Sequence, residues 1–199
     1  MTERSRILPV TGAWRPGDPE GNRRFLSFDP DRPFVLEGGA QLRGLTVAYE
    51  TWGELDPTGS NAVLVCHAVT GDSHLTGRSG HGHPTAGWWE ALVGPGRPLD
   101  TDRWFIVCVN VLGGCQGSTG PASEDPATGR PYGSTFPVVT IRDIVRTQAA
   151  VADRIVLMAR GRIVADASTS EIKGMATSHT IRATLPFVDP VELEQQPGV

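Results

Sequence analysis

Asn61-Ala62-Val63-Leu64-Val65-Cys66-His67-Ala68-Val69-Thr70-Gly71-Asp72 is the stretch that decides the fold. Ala62 to Cys66 is an unbroken apolar run of strand length, the pattern of a strand buried on both faces, and small and polar residues follow it at once. It reads as a central strand ending in a working loop. Ligands of open α/β sheets sit beyond the carboxyl ends of such strands, so His67, Ala68, Val69, Thr70, Gly71 and Asp72 stand where chemistry is expected.

The chain around this strand has 199 residues, enough for one domain with a real core. Eighteen basic against 22 acidic residues leave a net charge of −4, which supplies no basic field for nucleic acid or for an anionic membrane surface. The N-terminus Met1 to Arg6 has no apolar core of a secretory signal, and no later run reaches the roughly 18 apolar residues of a membrane span. The expected location is the cytoplasm. Cys66, Cys108 and Cys115 are odd in number, and the first two fall in apolar strand patterns; buried thiols in a reducing compartment are expected rather than disulfides. Glycine and proline cluster over 11–33, 70–98 and 113–137. The last two clusters follow strong strands and read as functional loops.

In chain order, residues 1–33 show no sustained period and read as an extended arm pinned by Trp14, Phe25 and Phe28, without a catalytic role. Phe34 to Glu37 and Leu42 to Trp52 read as two strands about a Gly38-Gly39 turn. The second alternates as an antiparallel edge with one wet face. Gly87 to Val93 is predicted to be a short helix, with Trp88-Trp89 as a core anchor. Arg103 to Leu112 is a second strongly apolar strand, emptying into Gly113-Gly114-Cys115-Gln116-Gly117-Ser118-Thr119-Gly120-Pro121. Thr140 is a helix N-cap with Asp143 in the first turn, and Ile141, Ile144, Val145, Gln148 and Val151 form a helical stripe ending near Ala152. This βαβα order implies an α/β domain, a mostly parallel sheet with antiparallel N-terminal edge strands.

Several blocks in this order carry a resemblance to a known family: Tyr49-Glu50-Thr51-Trp52-Gly53, His67-Ala68-Val69-Thr70-Gly71-Asp72, Gly87-Trp88-Trp89, Val93-Gly94-Pro95-Gly96, Asn110 to Cys115, Gly117 to Pro121 and Phe136 to Asp143. Over about 34–150 the chain resembles homoserine O-acetyltransferases, enzymes of methionine biosynthesis with the α/β-hydrolase fold. The resemblance implies acetyl transfer from acetyl-CoA to L-homoserine through an acyl-serine, with no bound cofactor and a possible homodimer. It places Val69 as an oxyanion-hole residue and the loop Gly113, Gly114, Cys115, Gly117 and Ser118 along the active-site tunnel. His67, Thr70, Gly71 and Asp72 shape the first loop. It also implies a Ser-His-Asp triad, whose serine belongs on a G-x-S-x-G elbow after the next strand. That strand would be Ile155 to Met158, and no serine lies between it and Gly161. Ser168, Ser170 and Ser178 lack flanking glycines at elbow spacing. The chain is therefore expected to be inactive, a partial α/β-hydrolase domain over 34–151 joined to an unrelated tail over 152–199.

Ala152 to Asp166, followed by Thr169-Ser170-Glu171-Ile172, resembles the end of ABC-transporter ATPases. The G-x-x-x-x-G-K-[ST] phosphate loop of those proteins does not occur in the chain. Arg154 to Met158 and Arg162 to Ala165 read as a hairpin, and Asp189-Pro190 as the start of a terminal helical turn. An ABC-ATPase remnant or a non-catalytic interaction fragment are the alternative functions. Two local patterns also carry rival readings. Gly113 to Gly117 has the form of an elbow with Cys115 as nucleophile, but no matched histidine and acid follow it. His74, His81 and His83 share one loop, but their spacing lacks zinc-ligand grammar, and a solvated loop with no metal is expected.

Overall fold

The computed structural model describes residues 12–80, 82–151, 154–159 and 162–168, all within the first of two units, Met1–Thr169. The elements in order are β1 (Arg24–Ser27), β2 (Phe34–Val35), β3 (Gln41–Leu42), β4 (Thr46–Trp52), β5 (Ala62–Val65), β6 (Val93–Gly94), β7 (Leu99–Asp100), β8 (Phe105–Val109), β9 (Glu124–Asp125), β10 (Arg130–Pro131), α1 (Ile141–Ala149), β11 (Arg154–Ala159) and β12 (Arg162–Ser168). The expected terminal turn at Asp189-Pro190, and Ser170 and Ser178, lie outside the described residues.

The main sheet runs β1-β4-β8-β5. β8 pairs with β5 in parallel and with β4 antiparallel, so the two apolar runs read from the sequence lie side by side, Val63 opposite Ile106 and Val65 opposite Cys108. Three expectations are corrected here. β5 is not central: it is the outer strand of this ladder among the described residues. β4 is not an edge with a wet face, because Val47, Ala48 and Glu50 are all buried. The edge place is taken by β1, from the segment read as an arm, with Phe25 opposite Ala48 and Leu26 opposite Val47. β1 has only four residues, too few to show a period, and its pairing is set by the hydrophobic face it covers.

One face of the sheet packs a core of Val63, Val65, Leu75, Val93, Ile106 and Cys108, with Trp52, Trp89, Leu99 and Trp104 against it. Trp89 thus serves as the expected anchor, but the helix expected over Gly87 to Val93 does not form. The Gly87 N–H donates to the Gly77 carbonyl at 2.9 Å and the Trp89 N–H to the Leu75 carbonyl at 2.7 Å, and along the segment itself only a single turn closes, the Trp89 carbonyl accepting from Leu92 and Val93 at 2.8 and 3.1 Å. Gly87 permits that approach, since a Cβ there would lie 2.3 Å from Thr76 Cα.

α1 begins as its sequence requires. The Asp143 N–H donates to Thr140 Oγ1 at 3.3 Å and the Thr140 N–H to Asp143 Oδ2 at 3.0 Å, a reciprocal capping box. Its expected stripe faces the core only in part: Gln148 is buried and Ile144 and Val145 are half-buried, but Ile141 is 76% exposed, and Asp143, Thr147 and Ala149 are buried beside Gln148. The helix is docked by polar contacts, with Asp143 Oδ1 accepting from the Glu37 N–H at 2.9 Å and Arg146 donating to the Val35 carbonyl at 2.8 Å. β11 and β12 form the expected antiparallel hairpin. No helix among the described residues is long and apolar enough to cross a membrane.

The Asp143 carboxyl is partly opposed by burial, but hydrogen bonds from Thr140 and Glu37 hold it below its ordinary value. Its folded-state pKa is depressed, so its contribution is full above the ordinary aspartate range and is lost as pH falls through the folded value. Asp143→Ala is expected to lower stability by about 1–2 kcal/mol near neutral pH, and by less in acid. Urea melts of both proteins at the two pH values measure the difference.

Candidate active site

The chain leaves β5 into a β-turn, Ala68 to Gly71, closed by the Gly71 N–H on the Ala68 carbonyl at 2.8 Å. Val69 and Thr70 form its exposed tip. Among the described residues the Val69 N–H donates to nothing, so the turn presents a main-chain donor beyond the carboxyl end of the parallel pair. His67 fixes the turn from below. Its Nδ1 lies 2.8 Å from the Ala68 carbonyl and its Nε2 3.3 Å from the Val111 N–H, a pairing that a neutral ring with its proton on Nδ1 satisfies at both ends. Asp72 Oδ1 accepts from the His74 N–H at 2.9 Å, and the Asp72 carbonyl accepts from Trp88 Nε1 at 3.0 Å. Both side chains are engaged in loop geometry.

The glycine loop after β8 folds back on β4. Ser118 Oγ donates to the Asn110 carbonyl at 2.6 Å and accepts from the Ala48 N–H at 2.9 Å, and Thr119 Oγ1 accepts from the Thr46 N–H at 2.9 Å. These hydroxyls continue the ladder where β8 has ended, and Ser118 is buried in that role. Gly117 has φ +105°, and a Cβ there would lie 2.9 Å from that of Ala48. Gly120 approaches Gly114 so closely that a Cβ would meet its carbonyl oxygen at 2.4 Å. The Gly114 N–H bonds back to Val111 at 2.9 Å, leaving Cys115 exposed at the rim.

Among the described residues no histidine is hydrogen-bonded to Cys115; its thiol lies 4.0 Å from Gln116 Nε2, and α1 begins only at Ile141. The elbow geometry that would make it a nucleophile is not formed. Cys108 is buried, and that burial pushes its thiol well up, whereas Cys66, just past β5, and Cys115 are exposed, against the sequence expectation, although the burial around the Cys66 sulfur still raises the pKa of its thiol. Among the described residues no serine or cysteine is hydrogen-bonded to a histidine.

Beneath both loops lies a buried polar cluster that sequence reasoning missed. Glu50 is fully buried on β4 and accepts from Ser73 Oγ at 2.7 Å and His74 Nδ1 at 3.0 Å. Ser73 meets Asn110, which also donates to the Gln116 carbonyl at 2.7 Å, and Gln116 Oε1 accepts from buried Arg23 at 2.6 Å. The signal was present: Glu50 is the one carboxylate inside the strand run Thr46 to Trp52. His74 and His83 are buried too, which corrects the expected solvated loop; His81 lies outside the described residues.

Glu50, His74 and His83 offer donor atoms within 4.8 Å of one another, the minimum grouping for a metal. The two rings, however, stack at 3.7 Å with only 10° between their planes. An imidazole lone pair lies in the ring plane, so two parallel rings aim into separate planes and do not converge on one ion. Each ring instead makes its own hydrogen bond, His74 to Glu50 and His83 to the Asn22 N–H.

Two measurements check these assignments. A thiol reagent at neutral pH is expected to modify Cys66 and Cys115 in the native protein, Cys115 no faster than free cysteine, and Cys108 only after unfolding. Addition of Zn²⁺ is expected to leave the melting temperature unchanged, because a cation bound by the folded state alone would raise it.

No protein-family model matches the chain. It is 60% identical over 144 residues to a homoserine O-acetyltransferase of Thermobifida fusca, covering 72% of this chain and 37% of that protein. It is 57% identical over 145 residues to one of Clavibacter michiganensis, covering 73% and 36%. Among solved structures, esterase E22 superposes with TM-score 0.58 at 38% identity, covering 65% of this chain and 36% of that one. Homoserine O-acetyltransferase from Bacillus anthracis gives 0.58 at 31%, covering 65% and 35%. The chain thus spans little more than a third of the length of these relatives. The likeness of the tail to an ABC ATPase has no support among them. Over 72% of its length the chain is similar to a homoserine O-acetyltransferase, and it carries part of the α/β-hydrolase fold.

Proposed function

We propose that residues 34–151 are the front part of a homoserine O-acetyltransferase, bringing the oxyanion-hole loop and one wall of the substrate tunnel, and that the 199-residue chain does not itself transfer acetyl groups. The observation that carries the reading is the conjunction of 60% identity to such an enzyme with an unengaged Val69 N–H at the end of a parallel strand. The donor is acetyl-CoA, the acceptor L-homoserine, the assembly a homodimer and the working place the cytoplasm. Residues 1–33 and 152–199 flank this part as an N-terminal segment and an unrelated tail.

The chemistry sets what each group supplies. Attack of a serine oxygen on the thioester carbonyl makes a tetrahedral oxyanion, which a fixed N–H stabilises more than it stabilises the planar carbonyl. Val69 is placed to give that N–H, held by the turn that His67 braces from below. The coenzyme A thiolate then leaves, and the homoserine hydroxyl attacks the acyl-serine to release O-acetylhomoserine. The residues described here bring no hydroxyl or thiol paired with an imidazole to begin the first step, which is why the chain alone is assigned no turnover.

A thiol assay for coenzyme A release tests both parts. The purified chain with acetyl-CoA and L-homoserine is expected to match the enzyme-free blank, and turnover well above it would refute the assigned inactivity. Grafting residues 12–151 in place of the matching segment of the Thermobifida fusca enzyme is expected to give an active chimera. In that chimera Val69→Ala should retain activity within about threefold, because the side chain is not used. Val69→Pro, which removes the N–H, should lower kcat by about 10²–10³-fold. A Val69→Pro chimera with undiminished kcat would remove the oxyanion role while leaving the homology untouched.

A further inference from the structure

The Glu50, His74 and His83 cluster is not used by the chemistry proposed above, and it is not optimised for static stability. Among the described residues His83 Nδ1 is buried without a hydrogen-bond partner, an arrangement that native proteins keep rare, and His74 Nε2 has nothing beyond the backbone of Arg78. The cluster joins three separate parts of the chain: β4 through Glu50, the loop after β5 through His74, and the N-terminal segment through His83, whose Nε2 accepts from the Asn22 N–H at 3.1 Å. Arg23 ties the same segment down, its Nη1 donating to the Gly82 carbonyl at 2.7 Å.

We propose that Glu50, His74 and His83 form a one-proton clasp that fastens the N-terminal segment 12–23 to the loop 73–87 and opens when a second proton enters. The proton assignment follows from the partners. His74 donates through Nδ1 to Glu50 Oε2 at 3.0 Å. His83 uses the lone pair of Nε2 to accept from Asn22, so its proton sits on Nδ1. A second proton on the pair has to occupy His83 Nε2, where it faces the Asn22 N–H. It also turns that nitrogen into a donor toward Glu50 Oε2, 3.8 Å away. Two charged rings would then stack at 3.7 Å beside the Arg23 guanidinium. The ring that held Asn22 is drawn to Glu50, and the segment is released.

The charged groups facing the rings agree with this division. For both rings burial opposes the charged form. For His74 the hydrogen bond and charge of Glu50, helped by Asp72 and the backbone of Arg78, overcome that and raise its pKa above the ordinary 6.5. For His83 the pull of Glu50 and Asp72 is outweighed by burial together with the charges of His74 and Arg23, and its pKa falls below 6.5. The two therefore act in opposite directions. The stabilisation from His74 is complete below the ordinary value and is lost as pH rises through its raised folded value. That from His83 is complete above the ordinary value and is lost as pH falls through its lowered one. The clasp is tightest between the lowered value of His83 and the raised value of His74, where the pair carries one proton.

Hydrogen exchange on the intact chain from about pH 5 to about pH 8, corrected for the intrinsic rates, reads the clasp directly. Protection of the amides in 12–23, Asn22 included, is expected to pass through a maximum between the lowered His83 and the raised His74 values. It should fall on the acid side with a slope of up to about tenfold per pH unit, the limit for one proton. The β4–β8 ladder should stay flat over the same range. His83→Gln, whose amide oxygen can still accept from Asn22, should abolish the acid-side fall, and His74→Gln the alkaline-side one. Protection that is flat with pH, or an acid-side fall that persists in His83→Gln, would overturn the proposal. If either variant fails to fold, NMR titration of the unmodified protein decides. One of the two rings must titrate above and the other below the ordinary histidine value, and both titrating together at it would equally overturn the clasp.

Discussion

A carboxylate sealed inside a small domain is the constraint to which the surrounding structure answers. Glu50 has no access to solvent, and an ionisable group so placed is tolerated only when its oxygens are fully engaged. Ser73 Oγ and His74 Nδ1 meet that demand, and both come from the segment that follows the turn after β5. The carboxylate on β4 therefore dictates where the neighbouring loop has to run. From Ser73 the hydrogen bonds continue through Asn110 to Gln116 and on to Arg23, so the glycine loop and the N-terminal segment hang from the same point.

The consequence is a division of labour within one face of the sheet, where Glu50 stands opposite the core residue Cys108. Aliphatic and aromatic side chains around Ile106 and Cys108 supply the non-directional cohesion that makes the sheet stable. Hydrogen bonds at the carboxyl ends of β5 and β8 supply direction, which packing alone does not. Ser118 and Thr119 follow the same logic by standing in for strand partners beside β4. α1 does so as well, turning Asp143 and Thr147 inward while Ile141 faces out. Its polar docking explains why the buried face of a helix legible from its cap and period is turned from Ile141 toward Asp143 and Thr147.

What could be read from the chain in advance divides along the same line. The apolar runs Ala62 to Cys66 and Arg103 to Leu112, the Thr140 cap and the hairpin after Arg154 rest on local pattern, and each is where it was expected. The misplaced features depend on pairings distant in sequence. β1 is a strand only because β4 needs a neighbour across Val47 and Ala48. Trp88 and Trp89 sit in a single turn that ends where Val93 enters β6, beside the loop carbonyls of Leu75 and Gly77. The Glu50 cluster joins positions 50, 74 and 83 with Asn22, and no spacing rule links them. A lone acid inside an otherwise β-forming run was the visible trace. The same physics hid the buried histidines, since glycine-rich surroundings at 77–82 look like an open loop whether or not it is folded down.

The tip of the turn after β5 shows where such a scaffold is free to vary. Val69 points its isopropyl group into solvent and touches the protein through its peptide unit alone, so whatever the loop offers an incoming molecule is encoded in backbone shape. Identity at that position is consequently decoupled from what the position does. Substitutions there can drift across many side chains, proline excepted, while the residues that hold the peptide in place, His67 and Gly71 among them, bear the selective burden.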